Sequence, residues 1–87
     1  MIKVVLQDTL DELNITIHKL SVEYKIRSST LYSLINGNTS QIKFETIETI
    51  LNAINEIAIE NGINKTYTIT DIIDYEYVKK EVGVASY

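Results

Sequence analysis

The sequence contains no cysteine and no proline, and it has only three glycines among its 87 residues. The absence of cysteine excludes disulfides and thiolate metal sites, and the single histidine, His18, leaves no Cys/His zinc cluster. No apolar run reaches the roughly 18 residues of a membrane span. The opening residues are too charged for a signal peptide. We therefore predict a cytoplasmic protein that needs no cofactor.

What is present is a chain rich in aliphatic residues, with 45% hydrophobic content. Few helix breakers between aliphatic runs favour a mostly helical fold, and the length predicts one domain. The spacing of apolar residues predicts helices at about 3–13, 17–24, 29–36 and 45–60, and a fifth from about 71 onward. We therefore predict a compact all-α bundle of about five helices over residues 1–77. The tail over 78–87 is predicted to be either flexible or dimer-forming.

The stretch from Thr16 to Asn38 contains two short helical patterns joined by a tight connection. Thr16 and Ser28 carry hydroxyls that suit the N-cap of the helix that follows each of them, as does Thr70 before the fifth helix. Asn36-Gly37-Asn38 provides a helix stop. A helix, a short turn and a capped second helix form the plan of a helix-turn-helix reader of the DNA major groove.

The charge is unevenly distributed along the chain. The net charge is -4, which by itself argues against binding to nucleic acid. Residues 16–44, however, carry an excess of about three positive charges, because four cations stand there against Glu23 alone. The cations are Lys19, Lys25, Arg27 and Lys43. Residues 45–87 are acidic. The positive charge thus coincides with the helix-turn-helix pattern.

An ordered set of residues carries a family resemblance: Thr16-x-x-x-Leu20-Ser21, then Ile26, then Ser28-Ser29-Thr30-Leu31-x-x-Leu34-x-Asn36-Gly37, then Phe44-Glu45-Thr46-Ile47-x-x-Ile50. With this order and spacing, residues 3–77 resemble the phage-repressor and Cro-type (Xre-type) helix-turn-helix family. The resemblance implies a helix-turn-helix at the second and third helices. The family usually has glycine where Lys25 stands, so we expect Lys25 in a left-handed conformation. The family often has a phosphate-holding glutamine where Ile17 stands.

The resemblance also implies which side chains would touch DNA. Base contacts are expected from the exposed N-terminal half of the third helix, at Ser28, Ser29, Tyr32 and Ser33. Phosphate contacts are expected from Lys19, Lys25, Arg27, Asn38, Thr39, Ser40 and Lys43. The alternative is that all of these are ordinary polar surface residues.

The function implied is a sequence-specific transcription regulator, either a small phage or prophage repressor or a Cro-like protein. It would bind a palindromic operator as a homodimer, and tyrosines in the C-terminal third suggest a dimer built from the fifth helix and the tail. The alternative is a protein-binding module on the same fold, such as an antirepressor, an antitoxin-like partner or an inhibitor, or a regulator that also binds a protein partner. No nucleophile or phosphate-loop motif is present, so we do not predict an enzyme. The carboxylates Asp71, Asp74 and Glu76 are expected on the solvent face of the fifth helix.

Overall fold

The computed structural model describes residues 1–78, which form four helices and a two-stranded sheet. In chain order the elements are β1 (Ile2–Val4), α1 (Leu6–Leu13), α2 (Ile17–Tyr24), α3 (Ser28–Ile35), α4 (Phe44–Glu60), a 3-10 turn (Ile69–Asp71) and β2 (Ile73–Tyr75). The predicted helix-turn-helix at the second and third helices is confirmed. The predicted all-α bundle of about five helices is correct only in being mostly helical. The predicted tail over 78–87 lies outside the described residues, apart from Val78.

The core is built on α4, the longest helix. Its apolar residues recur at three- and four-residue intervals and so share one face. The buried residues of that face are Ile47, Ile50, Ala53, Ile54, Ile57 and Ala58. Leucines from the three shorter helices complete the same cluster: Leu6, Leu10, Leu13, Leu20, Leu31 and Leu34. Burying a side chain of this size contributes about 1.5–3 kcal/mol, so this cluster is the main source of stability.

Three of the helices end with the same backbone arrangement. After α3, the N–H of Asn38 donates to the carbonyl oxygen of Ser33 (2.9 Å), and Gly37 adopts φ 72°. Equivalent bonds close α1, from the N–H of Ile15, and α4, from the N–H of Ile63. This Schellman arrangement needs a left-handed residue just after the helix, which glycine and asparagine tolerate. The helix stop predicted at Asn36-Gly37-Asn38 is confirmed.

The N-terminal caps of α2 and α3 differ from each other. The predicted cap at Thr16 is confirmed, since its Oγ1 accepts a hydrogen bond from the N–H of Lys19 (3.1 Å). The predicted cap at Ser28 is wrong. The N–H of Leu31 donates to the carbonyl of Arg27 (3.2 Å), so α3 begins one residue earlier and Ser28 is its first helical residue. Arg27 occupies the cap position, and its side chain makes no capping bond.

The predicted fifth helix is wrong, and residues 3–4, predicted as helix, form part of β1. A hydrogen bond from the N–H of Thr68 to Oδ2 of Asp71 (2.9 Å) caps the start of the 3-10 turn, and after the turn the chain becomes extended. Thr70 lies within this turn and caps no helix. β2 pairs antiparallel with β1 in the register Ile2–Tyr75, Lys3–Asp74 and Val4–Ile73. We call this pair of strands the β ribbon.

Because β2 replaces the predicted fifth helix, the carboxylates predicted on the solvent face of that helix lie elsewhere. Asp71 is half-buried in the 3-10 turn, whereas Asp74 and Glu76 are exposed on and just after β2. The physical reason is that β-branched and aromatic residues on both strands gain more from pairing with each other than residues 71–77 gain from helix formation. Such pairing between the two ends of the described chain leaves no local sequence signal.

Tyr67 lies in the connection over residues 63–68, which is neither helix nor strand. Asn55 of α4 fixes it from both sides: the N–H of Tyr67 donates to Oδ1 of Asn55 (2.7 Å), and Nδ2 of Asn55 donates to the carbonyl of Tyr67 (3.1 Å). The tyrosine ring is buried as part of the core. Its hydroxyl, however, has no hydrogen-bond partner among residues 1–78. Burial raises the pKa of this hydroxyl above its ordinary value.

Tyr67→Phe is therefore expected to leave the free energy of unfolding unchanged or to raise it by up to about 1 kcal/mol, because it removes a buried polar atom that lacks a partner. Urea denaturation followed by circular dichroism measures this. Thr9→Val is the control, since the Thr9 hydroxyl is buried but donates to the carbonyl of Asp71 (2.5 Å), and its loss should cost about 1 kcal/mol. A larger loss for Tyr67→Phe than for Thr9→Val would contradict the expectation.

Candidate nucleic-acid interface

The third helix, α3, has one face in the core and one in solvent. Leu31 and Leu34 are buried and fix the helix against the rest of the core. Ser28, Ser29 and Tyr32 are exposed on the opposite side, and Ser33 is half-buried. The side chains predicted to read bases therefore share the outer side of α3, with the two serines in its first turn.

The turn between α2 and α3 depends on an unusual residue. Lys25 adopts φ 56°, the left-handed conformation expected from the resemblance. Ile26 is buried and anchors the turn to the core, and Arg27 then leads into α3. A side chain with a Cβ is strained in this region of backbone space, at a cost of roughly 1–2 kcal/mol. The conformation of Lys25 that sets the turn between the two helices therefore lowers the stability of the domain.

Lys25→Gly is expected to raise the free energy of unfolding by about 0.5–1 kcal/mol, because glycine adopts a positive φ without strain but loses more entropy on folding. Chemical denaturation of the two proteins measures the difference. Asn14→Gly is a matched control, since Asn14 also has φ 56° but asparagine tolerates it better. If Asn14→Gly gained more than Lys25→Gly, strain at the turn would not be the cause.

A groove of about 580 Å³ lies between the start of α3 and the start of α4. Four of the side chains predicted to contact phosphates line it: Lys25, Arg27, Thr39 and Lys43. Glu45 is the carboxylate among the lining residues. Three cations against one acid give the groove a positive potential, which attracts phosphate groups. We call this feature the basic groove.

The other side of α3 faces a second, smaller cleft of about 440 Å³. Tyr32 lines it together with Thr16, Ile17 and His18 from the start of α2, and Asp11 contributes a negative charge. Tyr32 therefore lies on the opposite flank of α3 from the basic groove. The outer face of α3 is bordered by one positively charged groove and one mixed cleft.

The remaining predicted phosphate contacts lie outside both lining sets. Lys19 is half-buried and pairs with Glu23 one helical turn away (Nζ to Oε2, 3.9 Å). Asn38 and Ser40 are exposed in the segment between α3 and α4. An exposed i,i+4 pair is worth a few tenths of a kcal/mol, so Lys19 can exchange its partner at little cost.

Three residues near the basic groove were not predicted as site residues. Thr30 and Gln41 line the groove, and Phe44, in the first turn of α4, is almost fully exposed beside Lys43. Thr30 and Gln41 carry no sequence signal, because they join the groove only through the packing of α3 against α4. Phe44 also carried no sequence signal of exposure, because it stands three residues before Ile47 and so fits the apolar spacing of α4.

Carboxylates lie around Tyr24, the last residue of α2. Burial raises the pKa of Tyr24, and the negative charges of Glu60, Glu56 and Glu23 raise it further. These three carboxylates therefore lie near the end of α2 and the C-terminal half of α4. We call this group the acidic patch.

Within residues 1–78, no helix is long and apolar enough to cross a membrane. The same part of the chain contains no cluster of three or more histidine or acidic side chains arranged to hold a metal ion.

A family model described as the Cro/C1-type helix-turn-helix DNA-binding domain matches residues 5–56, which is more than half of the chain. The match spans α1 to α3 and most of α4, and it includes both flanks of α3. No curated protein and no solved structure matches the chain. The fold, the exposed face of α3 and the family match agree, and the chain belongs to the Cro/C1-type helix-turn-helix DNA-binding domain family as a DNA-binding regulator.

Proposed function

We propose that this protein is a sequence-specific transcription regulator of the small phage or prophage repressor or Cro type, which inserts α3 into the major groove of its operator. The observation that carries the proposal is the exposed outer face of α3 beside the basic groove. The major groove is about 12 Å wide and admits one α-helix, so a helix with a polar outer face fits it.

The base edges would be read by Ser28, Ser29, Tyr32 and Ser33. Serine hydroxyls both donate and accept hydrogen bonds, so each serine can pair with more than one base and discriminates modestly. Tyr32 offers a ring that can contact a thymine methyl group as well as a hydroxyl that can bond a base or a phosphate. The reading would therefore combine a few weak serine contacts with one larger aromatic contact.

The phosphates that border the major groove would be held from the flank of α3. Lys25, Arg27 and Lys43 converge on the basic groove, and Thr39 adds a hydroxyl there. Lys19, Asn38 and Ser40 would reach further along the backbone. Such contacts fix the position of α3 on the duplex, and each adds about one unit to the salt dependence of binding. The acidic patch near Tyr24 would weaken indiscriminate binding to other nucleic acids.

Two copies would bind a palindromic operator, because a single helix-turn-helix reads only one half-site of a few base pairs. Half-sites would lie about one helical turn apart.

A protein-binding role on the same fold is the second candidate. The carboxylates of Glu23, Glu56 and Glu60, together with a net charge of -4, favour it because they would dock on a basic partner surface. In that case the protein would act as an antirepressor, an antitoxin-like partner or an inhibitor.

Selection of bound sequences from a random duplex library separates the two functions. We expect a recurrent sequence with two-fold symmetry, bound with an affinity that falls steeply with salt. Ser29→Ala should alter the selected bases without unfolding the domain, whereas Thr66→Ala, exposed in the connection after α4, should not. Failure to enrich any sequence at low salt would reject the DNA-reading function and favour the protein-binding one.

A further inference from the structure

The mixed cleft, of about 440 Å³, lies on the Tyr32 flank of α3. Among residues 1–78 its lining contains no lysine and no arginine, whereas three such cations line the basic groove. The ionisable side chains in the lining of the cleft are Asp11, His18 and Tyr32. The two flanks of α3 therefore differ in charge, because one has permanent cations and the other has a histidine.

The mixed cleft and the basic groove lie on opposite sides of α3. Thr30 lines the groove and Tyr32 lines the cleft, and two positions along a helix are about 200° apart around its axis. An α-helix with its side chains is about 10–12 Å across and the major groove is about 12 Å wide. A helix in the groove thus has one phosphate backbone against each flank. The basic groove serves one of these strands, and the other strand meets the mixed cleft.

His18 is the side chain of the cleft whose type changes charge near neutral pH. It is exposed in the first turn of α2 and is the only histidine of the sequence. Histidine side chains gain a positive charge as the pH falls from about 8 to about 5. The carboxylate of Asp11 also lines the cleft, where its Oδ1 accepts a hydrogen bond from Nε2 of Gln7 (2.9 Å). Beside an uncharged His18 this carboxylate repels a phosphate, whereas a protonated His18 balances it.

The remaining ionisable groups on the helices around His18 stand outside the lining of the cleft. They are Asp8 and Glu12 of α1, Lys19, Glu23 and Tyr24 of α2, and Glu45, Glu48, Glu56 and Glu60 of α4. Lys19 pairs with Glu23, and Glu12 pairs with Lys65. The groups that share the cleft with His18 are therefore Asp11 from α1 and Tyr32 from α3.

We propose that His18 makes operator affinity depend on pH, because its protonated imidazole binds a phosphate of the DNA strand on the Tyr32 flank of α3. Both ring nitrogens of a protonated imidazole donate, and a hydrogen bond between two charged groups is stronger than one between neutral groups. A phosphate beside His18 favours the protonated form. The gain in affinity is therefore present near pH 6 and is lost as the pH rises to about 8. Lysine and arginine keep their charge over this range, so the strand at the basic groove is held equally throughout.

The inference rests on the proposed function, because it adds one contact to the same operator complex. Titration of the selected operator duplex with the full chain, at about pH 6, 7 and 8 and one fixed ionic strength, tests it. One phosphate contact multiplies the affinity by about eight at about 0.1 M salt. With a histidine as the cation, we expect the wild-type affinity to be about fivefold higher near pH 6 than near pH 8 for each copy bound.

Two substitutions at the same position separate charge from shape. His18→Gln should bind at all three pH values with the affinity that the wild-type chain has near pH 8. His18→Lys should keep the higher affinity throughout, because its charge is permanent. Circular dichroism confirms that both variants are folded. Chain termini also titrate near neutral pH, but the α-amino group of Met1 lies at the β ribbon and is present in every variant.

Asp11→Asn is the control for a pairing within the protein. It removes the acid of the cleft and keeps His18, so it should raise the affinity near pH 8 and leave a dependence on pH. Proton NMR of the imidazole gives a direct second measurement, in which the titration midpoint of His18 should be higher in the operator complex than in the free chain.

Four outcomes would overturn the proposal. They are a wild-type affinity that is equal near pH 6 and pH 8, a dependence on pH that survives in His18→Gln, one that disappears in Asp11→Asn, and an imidazole midpoint that the operator leaves unchanged. Each of these leaves DNA binding itself intact. A library that yields no bound sequence at any of the pH values would instead reject the proposed function, and this inference with it.

Discussion

Replacing Arg27 and Lys43 together by glutamine is expected to weaken operator binding about sixtyfold at about 0.1 M salt. Each phosphate contact releases counterions from the duplex and contributes about 0.9 to the slope of log K against log salt. Two lost contacts therefore reduce that slope by about two units and remove nearly two powers of ten at this salt concentration. Titration of a labelled operator at several salt concentrations gives both quantities. Lys25 is left unchanged because its substitution would also alter the strained turn.

The control for this prediction removes the same amount of charge elsewhere. Lys3→Gln with Lys65→Gln also makes the net charge of -4 more negative by two units. Both lysines have a raised pKa because each is hydrogen-bonded to a carboxylate, Lys3 to Glu76 and Lys65 to Glu12 (3.3 Å). Neither lines the basic groove. If this control lost as much affinity and slope as the groove variant, the effect would come from net charge and the groove would have no specific role.

Ile54→Ala is expected to lower the free energy of unfolding by about 2–5 kcal/mol. Ile54 is 0% exposed in the middle of the α4 face, so the change removes buried methyl groups and leaves a cavity. A domain of this size has a total stability of roughly 4–13 kcal/mol, so the loss is a large fraction of it. Urea denaturation monitored by circular dichroism measures the difference, and the midpoint should fall with little change in slope.

Ile59→Ala tests whether burial is the cause of the stability loss expected for Ile54→Ala. Ile59 is on the same helix and has the same side chain, but it is 76% exposed. Replacing it should therefore alter the free energy of unfolding by no more than about 0.5 kcal/mol. Alanine also has the higher helix propensity, which favours the variant slightly. Equal losses at the two positions would contradict the placement of the core on the inner face of α4.

The helices were predictable from sequence because their signals are local. The spacing of leucines and isoleucines, the Thr16 cap and the stop at Gly37 all act within one or two turns of the helix they define. The β ribbon was not predictable in this way, since Val4 and Ile73 acquire strand character only from each other. Apolar residues at both ends fit a helical spacing when each end is considered alone.

The candidate site likewise has a part that the sequence predicts from local signals and a part that depends on tertiary packing. The exposed serines of α3 follow from the position of its buried leucines, since the opposite face of a helix must be exposed. The convergence of Arg27 and Lys43 on one groove depends on how α3 packs against α4. The sequence shows that both are cations near the motif, but not that they share a groove. The same holds for Gln41, which nothing in its neighbourhood distinguishes.

The register of the β ribbon also has a consequence for the order of folding. The contacts of α2 with α3 are between neighbours in the chain, whereas Ile2 pairs with Tyr75 across the whole helical segment. Contacts between distant residues require closure of a long loop, so they tend to form late and to open first. The helix-turn-helix is then expected to assemble before the ribbon does. A surface carried by the ribbon exists only on chains that have completed folding, and partly folded chains would lack it.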